Sequence, residues 1–535
     1  MPEKQTPKTD PEFNLWDEPW ILVLDQNREM REVSLTDVFI NAHKYERLAG
    51  ELPTQDVALL RLLLAVLHTV FSRMNINGDS DPLTEENALD RWEELWDERR
   101  ISEKPILAYR DEWHDRFWLF HSERPFYQVP EAEIGTEHGA AKLNGILSES
   151  GNKLRIFPAR QGFEKRRVSY AEAARWLLSV NGFDDTSSKP KGKNLPSPGV
   201  GWLGKLGLIY AEGETLFETL LLNLTLLKDG NEIWDSNRPA WELNHARTAE
   251  RTQIPIPNDP AALLTTQSRR MLLKREGGQV TGFFLLGGDF FERVNAFSEQ
   301  MTIWRPVMEK NRLVGYQPKR HTSSKQFWRE FSTLMATKEG HHRPGIVSWI
   351  TSLKEQSCIK DQRVIRFSIA SVQYGDKDFF VNDIFSDGLN LQLQMFGSMA
   401  NTLRIQVEDE IQRIEKLAEI VGRLNESLEK AAGGSGEKAR EKGKSLLFYQ
   451  IDTPFRRWLE KLVPDEKTID AIENWRKQSL QIARSLGQEL IDMAGEPAFV
   501  GRSYKDKKER EWHYSSPEAI NRFDLDLYRL DHPKV

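Results

Sequence analysis

FGSMANTLRIQVEDEIQRIEKLAEIVGRLNESL, residues 396–428, is the stretch that decides the architecture. Phe396, Met399, Leu403, Val407, Ile411, Ile414, Val421, Leu424 and Leu428 recur mostly three or four apart, which predicts one long helix, or two nearly collinear ones, with a single apolar face. Gly433, Gly434, Ser435 and Gly436 break the pattern. Two further helical patterns follow, one through Phe448 and Leu459, the other through Ile469, Ile472, Ile482, Leu486, Leu490 and Met493. A fourth spans Ser516 to Leu530. Four one-sided stripes joined by short loops predict an antiparallel four-helix bundle, because each helix then covers its neighbours' apolar faces. The character of the chain changes near Val381 to Asp387, so we divide it into 1–383 and 384–535.

Upstream of that break the pattern is mixed. Trp20 to Leu24 reads as a short buried strand, Asp25 to Glu29 as a polar turn, and a helix opens near Ser34. Thr54 is placed to cap the next helix, whose residues Val57, Leu60, Leu63, Leu64, Leu67 and Phe71 put one face inward. Leu206 to Tyr210 reads as a strand ended by Gly213, and Thr215 leads into a helix through Leu216, Leu220, Leu221 and Leu224. Val280 to Leu286 and Arg366 to Tyr374 are rich in Phe, Val and Ile and suit strands. There is no strict βαβ rhythm, so the fold class is α+β: a large mixed amino-terminal domain followed by the helices.

The 535 residues are 39% hydrophobic and 10% aromatic, with 16 tryptophans, ample material for folded domains although 29% of residues are charged. A single cysteine, Cys358, excludes a disulfide framework and a cysteine zinc cluster and is compatible with a reducing, cytoplasmic setting. The longest apolar run, Val57 to Phe71, is interrupted by Arg61 and His68, so neither a signal peptide nor a membrane span is expected. Net charge is −7, but it is unevenly spread. Residues 1–150 hold 16 Lys and Arg against 30 Asp and Glu, whereas residues 153–205 hold 11 against 4. A basic segment inside an acidic protein touches phosphates locally while the remainder discourages indiscriminate nucleic-acid binding.

Residues with catalytic chemistry are sparse. His114-Asp115 would suit the start of a metal phosphohydrolase site, but its further His and Asp are not identifiable, and solvated side chains are the plainer reading. His341-His342 suits a surface loop better than a metal or acid–base site. Gly201 to Gly207 and Gly433 to Lys438 imitate a phosphate loop without its Lys-Ser/Thr ending, so no nucleotide hydrolysis is expected; the glycines suit tight turns and a flexible interhelical loop. No catalytic residue, metal or cofactor is assigned. Residues 182–192, GFDDTSSKPKG, followed by Lys193, read as a loop. Small hydroxyls and exposed backbone beside lysines suit close approach to a DNA groove. A solvated lysine loop fits the composition equally well. Lys153, Arg155, Arg160, Lys165, Arg166 and Arg167 enlarge the basic segment upstream.

Several stretches, in order, resemble one family. They are FNLWDEPWILVL (Phe13–Leu24), EVSLTDVF (Glu32–Phe39), LPTQDVALLRLLLAVLH (Leu52–His68), SERPFYQVP (Ser122–Pro130), GVGWLGKLG (Gly199–Gly207), EGETLFETLLLNL (Glu212–Leu224) and YGDKDFFVNDIFSD (Tyr374–Asp387). Together they are similar to the CasA family, the large subunit of the type I-E CRISPR surveillance complex Cascade. The resemblance implies a non-enzymatic subunit that joins a guide-RNA complex with its backbone and small subunits. It further implies recognition of the motif beside the target in double-stranded DNA, help in opening that duplex for R-loop formation, and docking of a helicase-nuclease. Guide pairing then reads the rest of the sequence, as in another RNA-guided system.

Carried over by residue, the family's glycine-rich recognition loop falls on Thr186, Ser187, Ser188 and Lys189, and Ser150 to Phe157 resembles a second motif-proximal element, with Asn152 and Phe157 its candidates. The position of the family's glutamine wedge is Lys377, an ammonium with no acceptor, so a wedge is retained and amide readout is not. Gly287 to Asp289, where the family's lysine finger falls, has no lysine, which leaves Lys189 or Lys274 for the minor groove. Lys153, Arg155, Arg160, Lys165, Arg166, Arg167, Lys191, Lys193 and Lys274 are weaker candidates for backbone phosphates. Structural zinc, held by cysteines in some relatives, is not expected here.

Overall fold

The polar turn after residue 24 forms because Asp25 Oδ1 accepts hydrogen bonds from the amides of Asn27 (2.8 Å) and Glu29 (3.0 Å). It joins the strands Ile21–Asp25 and Met30–Val33, and Tyr45–Leu48 pairs on the other side of the first, all antiparallel. Ser34 Oγ then accepts from the Asp37 amide (3.2 Å) and caps the helix Leu35–Ile40. This computed structural model describes residues 11–145, 160–187, 189–190, 192, 194–245, 247–338, 340–360, 362–505 and 511–532.

The helix Pro53–Phe71 differs from expectation in two ways. It starts at Pro53, whose fixed φ suits a first helical residue, so Thr54 lies inside the first turn and is not the cap. It is also buried all round, Pro53 and Asp56 excepted, not on one face. Among the described residues it is the one helix long and apolar enough to cross a membrane, and here it is enclosed by protein. Arg61 inside it makes a two-pronged pair with Glu299 through its two Nη atoms (2.8 and 2.9 Å), its Nε being left without a partner among the described residues, and Trp202 Nε1 donates to the same carboxylate (2.8 Å).

The chain divides into two compact units. The first comprises Met1–Phe327, Thr333–Lys360 and Ile365–Gly388; the second comprises Trp328–Ser332, Asp361–Val364 and Leu389–Val535. The division therefore falls a few residues beyond 383, and two short pieces of upstream chain join the second unit. The first unit is α+β, with several small sheets. One has Gln279–Gly287 between Arg269–Glu276 and Thr136–Gly139. In another, Val364–Tyr374 lies between Ile209–Glu212 and the strand beginning at Val381. Thr215 Oγ1 accepts from the Glu218 amide (3.2 Å) to start the helix Leu216–Asn223, and Ser169 Oγ accepts from Glu172 (3.1 Å) to start Tyr170–Phe183.

In the second unit the stripe over 401–428 forms one helix, Asn401–Ala431, followed by Ala439–Glu460, Thr468–Val500 and Ser516–Asp531. Leu403, Val407, Ile411, Ile414, Val421, Leu424 and Leu428 are buried. Phe396 precedes the helix, and Met399 is 91% exposed outside it. Ile469 and Met493 are exposed too; at Ile469 the neighbouring Thr468 and Ile472 take the packed face. Glu410 meets Arg476 (2.6 Å) and Arg413 meets Ser479 (3.1 Å), so the first and third helices advance together. Arg413 with Asp531 (3.0 Å) and Arg423 with Asp526 (2.9 Å) step in opposite directions, so the last helix runs against the first. The second does likewise, through Asn425 to Ala439 (2.7 Å) and Glu419 to Lys444 (2.7 Å). Gly443 has no room for a side chain: a Cβ there would stand 3.0 Å from Val421 O. Gly433 (φ 98°) and Gly436 (φ 71°) supply the left-handed turn between the first two helices.

Candidate nucleic-acid interface

The helix Tyr170–Phe183 ends where Asp184 leaves helical geometry, and the predicted recognition loop follows directly. Its first turn is tied down from three directions. Tyr374 Oη donates to the terminal helix carbonyl of Phe183 (2.6 Å). Arg269 donates through Nε to Asp184 Oδ2 (2.6 Å) and through Nη2 to the carbonyls of Asp184 (3.0 Å), Asp185 (3.2 Å) and Gly199 (2.7 Å). The segment after the loop closes in as well, with the Gly201 amide donating to Asp184 O (3.0 Å). A Cβ at Gly201 would stand 2.2 Å from Gly182 O, and one at Gly204 2.2 Å from Tyr374 Oη. These glycines permit close approach of backbone and ring, not the tight turns expected of them.

Lys189 points inward. Its side chain is wholly buried, and its ammonium donates to Asp184 Oδ2 (2.8 Å), Asp185 O (2.7 Å) and Ser187 O (2.8 Å), using all three protons. It is a staple of the loop, and its charge is not presented to a groove. Asp184 sits among Arg269, Lys189 and Lys142; burial works against its carboxylate, but these three cations together hold it well below the usual carboxylate range. Ser187 forms the loop's turn by donating its amide to Asp185 Oδ1 (2.8 Å).

The loop and the predicted wedge, 191 residues apart in sequence, meet. Thr186 Oγ1 donates to the carbonyl of Lys377 (2.9 Å), and the Thr186 amide donates to the carbonyl of Asp378 (3.1 Å). Lys377 (φ 55°), Asp378 (φ 59°) and Phe380 (φ 57°) are all left-handed non-glycine residues, a conformation that the surrounding bonds must enforce. Arg320 supplies one such bond, a two-pronged pair with Asp378 (2.7 and 3.0 Å). Lys377 is exposed and has no ion-pair partner among the described residues. Phe379 and Phe380 stand beside it, edge to face and both exposed.

Among the described residues, most of the other expected positions are already engaged elsewhere. Arg160 makes a two-pronged pair with Glu172 (2.6 and 3.1 Å), Arg167 lies over the Phe163 ring (4.6 Å), and Lys274 pairs with Glu137 beside the Phe284 ring. Lys165 is part-buried with a partner, and Arg166 is exposed. Asn152, Phe157, Lys153, Arg155, Ser188, Lys191 and Lys193 lie outside the described residues. The positioning residues Arg269 and Arg320 carried no local sequence signal. Asp184 falls in the GFDDTSSKPKG stretch, and Tyr374 and Asp378 in the YGDKDFFVNDIFSD stretch, but neither showed that they meet. His114 binds Asp17 (2.7 Å) at the surface, and His342 packs against Phe297, Trp304 and Tyr316 instead of standing in open solvent. Among the described residues no group of three or more His, Cys, Asp or Glu is arranged to hold a metal.

A mixed α+β chain with a stapled loop clasped to a strained, cationic turn is a scaffold for presenting loops, and comparison with known proteins identifies its kind. The model of the CRISPR-associated protein Cse1 family matches residues 14–486. A CasA/Cse1 protein of Thermus thermophilus is 31% identical over 337 residues, 61% of this chain and 61% of that protein's length. The crystal structure of Thermobifida fusca Cse1 superposes with a TM-score of 0.81 at 28% identity, covering 98% of this chain and 97% of that one. A chain of a CRISPR RNA-guided surveillance complex shares the fold at a TM-score of 0.64 and 16% identity, with 97% of this chain and 100% of that chain covered. The chain belongs to the Cse1 (CasA) family.

Proposed function

We propose that this chain is the DNA-recognition subunit of a guide-RNA surveillance complex. In this reading it recognises the protospacer-adjacent motif of duplex DNA, helps part the strands for R-loop formation, and offers a docking surface to a helicase-nuclease. It performs no catalysis itself and works in the cytoplasm. The observation that carries the reading is the clasp between Thr186 and the backbone of Lys377 and Asp378, which presents two motif-facing loops as one surface. Lys377, exposed on a strained turn beside two exposed phenylalanines, has the chemistry of a wedge: a cation for phosphate and rings that stack on an unpaired base. The four helices of the second unit are read as the family's antiparallel four-helix bundle, which contacts the small subunits. The buried, satisfied state of Lys189 favours a second reading, a scaffold without direct motif readout. The deciding experiment measures binding of the guide complex to a target with a randomised adjacent motif, with and without this subunit, at fixed salt. Preference that appears only with the subunit supports recognition; preference that persists without it leaves the scaffold.

A further inference from the structure

A cleft of about 70 Å³ lies in the first unit between the turn 125–128 and the segment 240–247. Its walls are fixed by bonds that do not involve a ligand. Gln128 pins the turn, donating through Nε2 to the carbonyls of Leu119 (2.7 Å) and Phe126 (3.3 Å) and accepting at Oε1 from the Leu273 amide (2.8 Å). Opposite, Arg238 donates to Glu242 O (3.2 Å) and Asn244 Oδ1 (2.9 Å), and Arg124 ties the two walls together by donating to Asn244 O (2.9 Å). The lining has one sign: Arg116, Arg124, Arg247 and His245 contribute to it, and no carboxylate among the described residues does. Arg116 is half-buried and makes no hydrogen bond or ion pair among the described residues. Arg247 shares Asp289 with Arg270, so one carboxylate answers two guanidinium groups, and the Arg247 Nε is buried without a partner among the described residues. Gln267, only 7% exposed, also lines the cleft; its carbonyl is held by the Asp289 amide (2.9 Å), but its side-chain amide has no partner among the described residues. A buried amide and cationic donors left unmatched are costly until acceptors arrive. The space is far below the roughly 300 Å³ at which pockets begin to take a whole small molecule, so it suits a head group of a few heavy atoms. Guanidinium groups contributed by both walls, with an amide between, offer protons from several directions, which matches the oxygens of a tetrahedral phosphate better than the two coplanar oxygens of a carboxylate.

We propose that this cleft binds one phosphodiester of the target duplex, held by Arg116 and Arg247 with the buried Gln267 amide as a further donor. The site adjoins the recognition loop, because Gln267 lies just before Arg269, whose guanidinium secures Asp184. That adjacency favours the duplex over the guide strand as the source of the phosphate. One phosphate fixed there sets the register of the duplex against the Thr186–Lys377 surface without reading sequence. The proposal rests on the DNA-recognition reading above and adds to it a contact outside the motif loops.

The test uses the assembled guide complex carrying Arg116→Gln, Arg116→Lys or Gln267→Leu, with target binding measured over a motif library at several salt concentrations. Arg116→Gln is expected to weaken binding about 3- to 10-fold for every motif alike and to reduce the salt dependence of log K by about one unit, with the motif ranking unchanged. Arg116→Lys should keep the parental salt slope. Gln267→Leu exchanges one neutral side chain for another, so it should weaken binding several-fold at the parental slope. Neither side chain gives up a partner within the protein, so the melting temperatures of the unassembled variants should match the parent's. Parental affinity in either Arg116→Gln or Gln267→Leu overturns the proposal, as does a changed motif ranking or a loss of binding that tracks a lowered melting temperature. Fewer complexes assembled, with parental duplex binding in those that form, assigns the phosphate to the guide strand and overturns the duplex assignment. A second arm follows the melting temperature of the unassembled protein in millimolar inorganic phosphate. A rise in the parent that exceeds the rise in Arg116→Gln, without any effect on duplex binding, assigns the cleft to free phosphate and likewise overturns the duplex assignment. If motif preference persists without the subunit, the recognition reading fails separately, while the salt slope of Arg116→Gln still decides the cleft.

Discussion

At the scale of single residues, the strongest constraints are charges that have left water. Arg61 and Glu299 are each nearly inaccessible and bind one another through two hydrogen bonds. Arg61→Ala removes one partner and strands the other, so it should cost about 3–5 kcal/mol in denaturant unfolding, whereas the double change Arg61→Met with Glu299→Leu should recover most of that loss. At the clasp, Thr186→Val deletes one hydrogen bond worth about 1 kcal/mol. It should lower motif-dependent binding several-fold and be less than additive with Lys377→Ala, because both act on one surface. These partners were not legible in the sequence. Asp184, Lys189 and Arg269 look like a surface charge run and a distant strand residue, and only the fold brings residues 85 positions apart into one buried cluster. Lys189 was misplaced for that reason: composition records a cation and says nothing of which way it points.

At the scale of elements, periodicity was informative where one face is buried and silent where the whole surface is. The stripe from Leu403 to Leu428 pointed to one long helix or two nearly collinear ones, and one forms, since its seven positions recur at three, four or seven residues and all are covered. Leu403→Asp should therefore destabilise the second unit by several kcal/mol, read as a lowered unfolding midpoint. Met399 was assigned to the same stripe because spacing alone does not locate a helix start. In the Pro53–Phe71 helix the expected inward face is instead burial on every side, Pro53 and Asp56 excepted, and its histidine senses that. Burial lowers the His68 pKa from the ordinary 6.5 to about 3. Below the unfolded value the unfolded chain binds the proton and the native chain does not, so stability is full above pH 6.5 and falls as the pH drops from 6.5 toward 3. A urea series over that range should show this slope, reduced in His68→Leu.

At the scale of the whole molecule, two kinds of architecture serve different purposes. The first unit spends its many small sheets on fixing loop ends, and the second stacks long helices on one another's apolar faces. Neither brings together, among the described residues, a set of side chains suited to hold a metal. On the proposed reading that the chain performs no catalysis, the purified protein with added magnesium or manganese should leave duplex and single-stranded DNA intact on a gel; cutting that follows the protein through purification would overturn that proposal. The fold class was legible because strand and helix patterns alternate without rhythm before residue 381, while the meeting of the two motif loops was not, since nothing local links residue 186 to residue 377. That link joins Thr186 to main-chain oxygens of Lys377 and Asp378, and the side chain at 377 takes no part in it. A change of side chain at 377 therefore leaves the tie between the loops intact. On the proposed recognition role, such a joint lets target preference diversify while the frame that holds the loops stays the same.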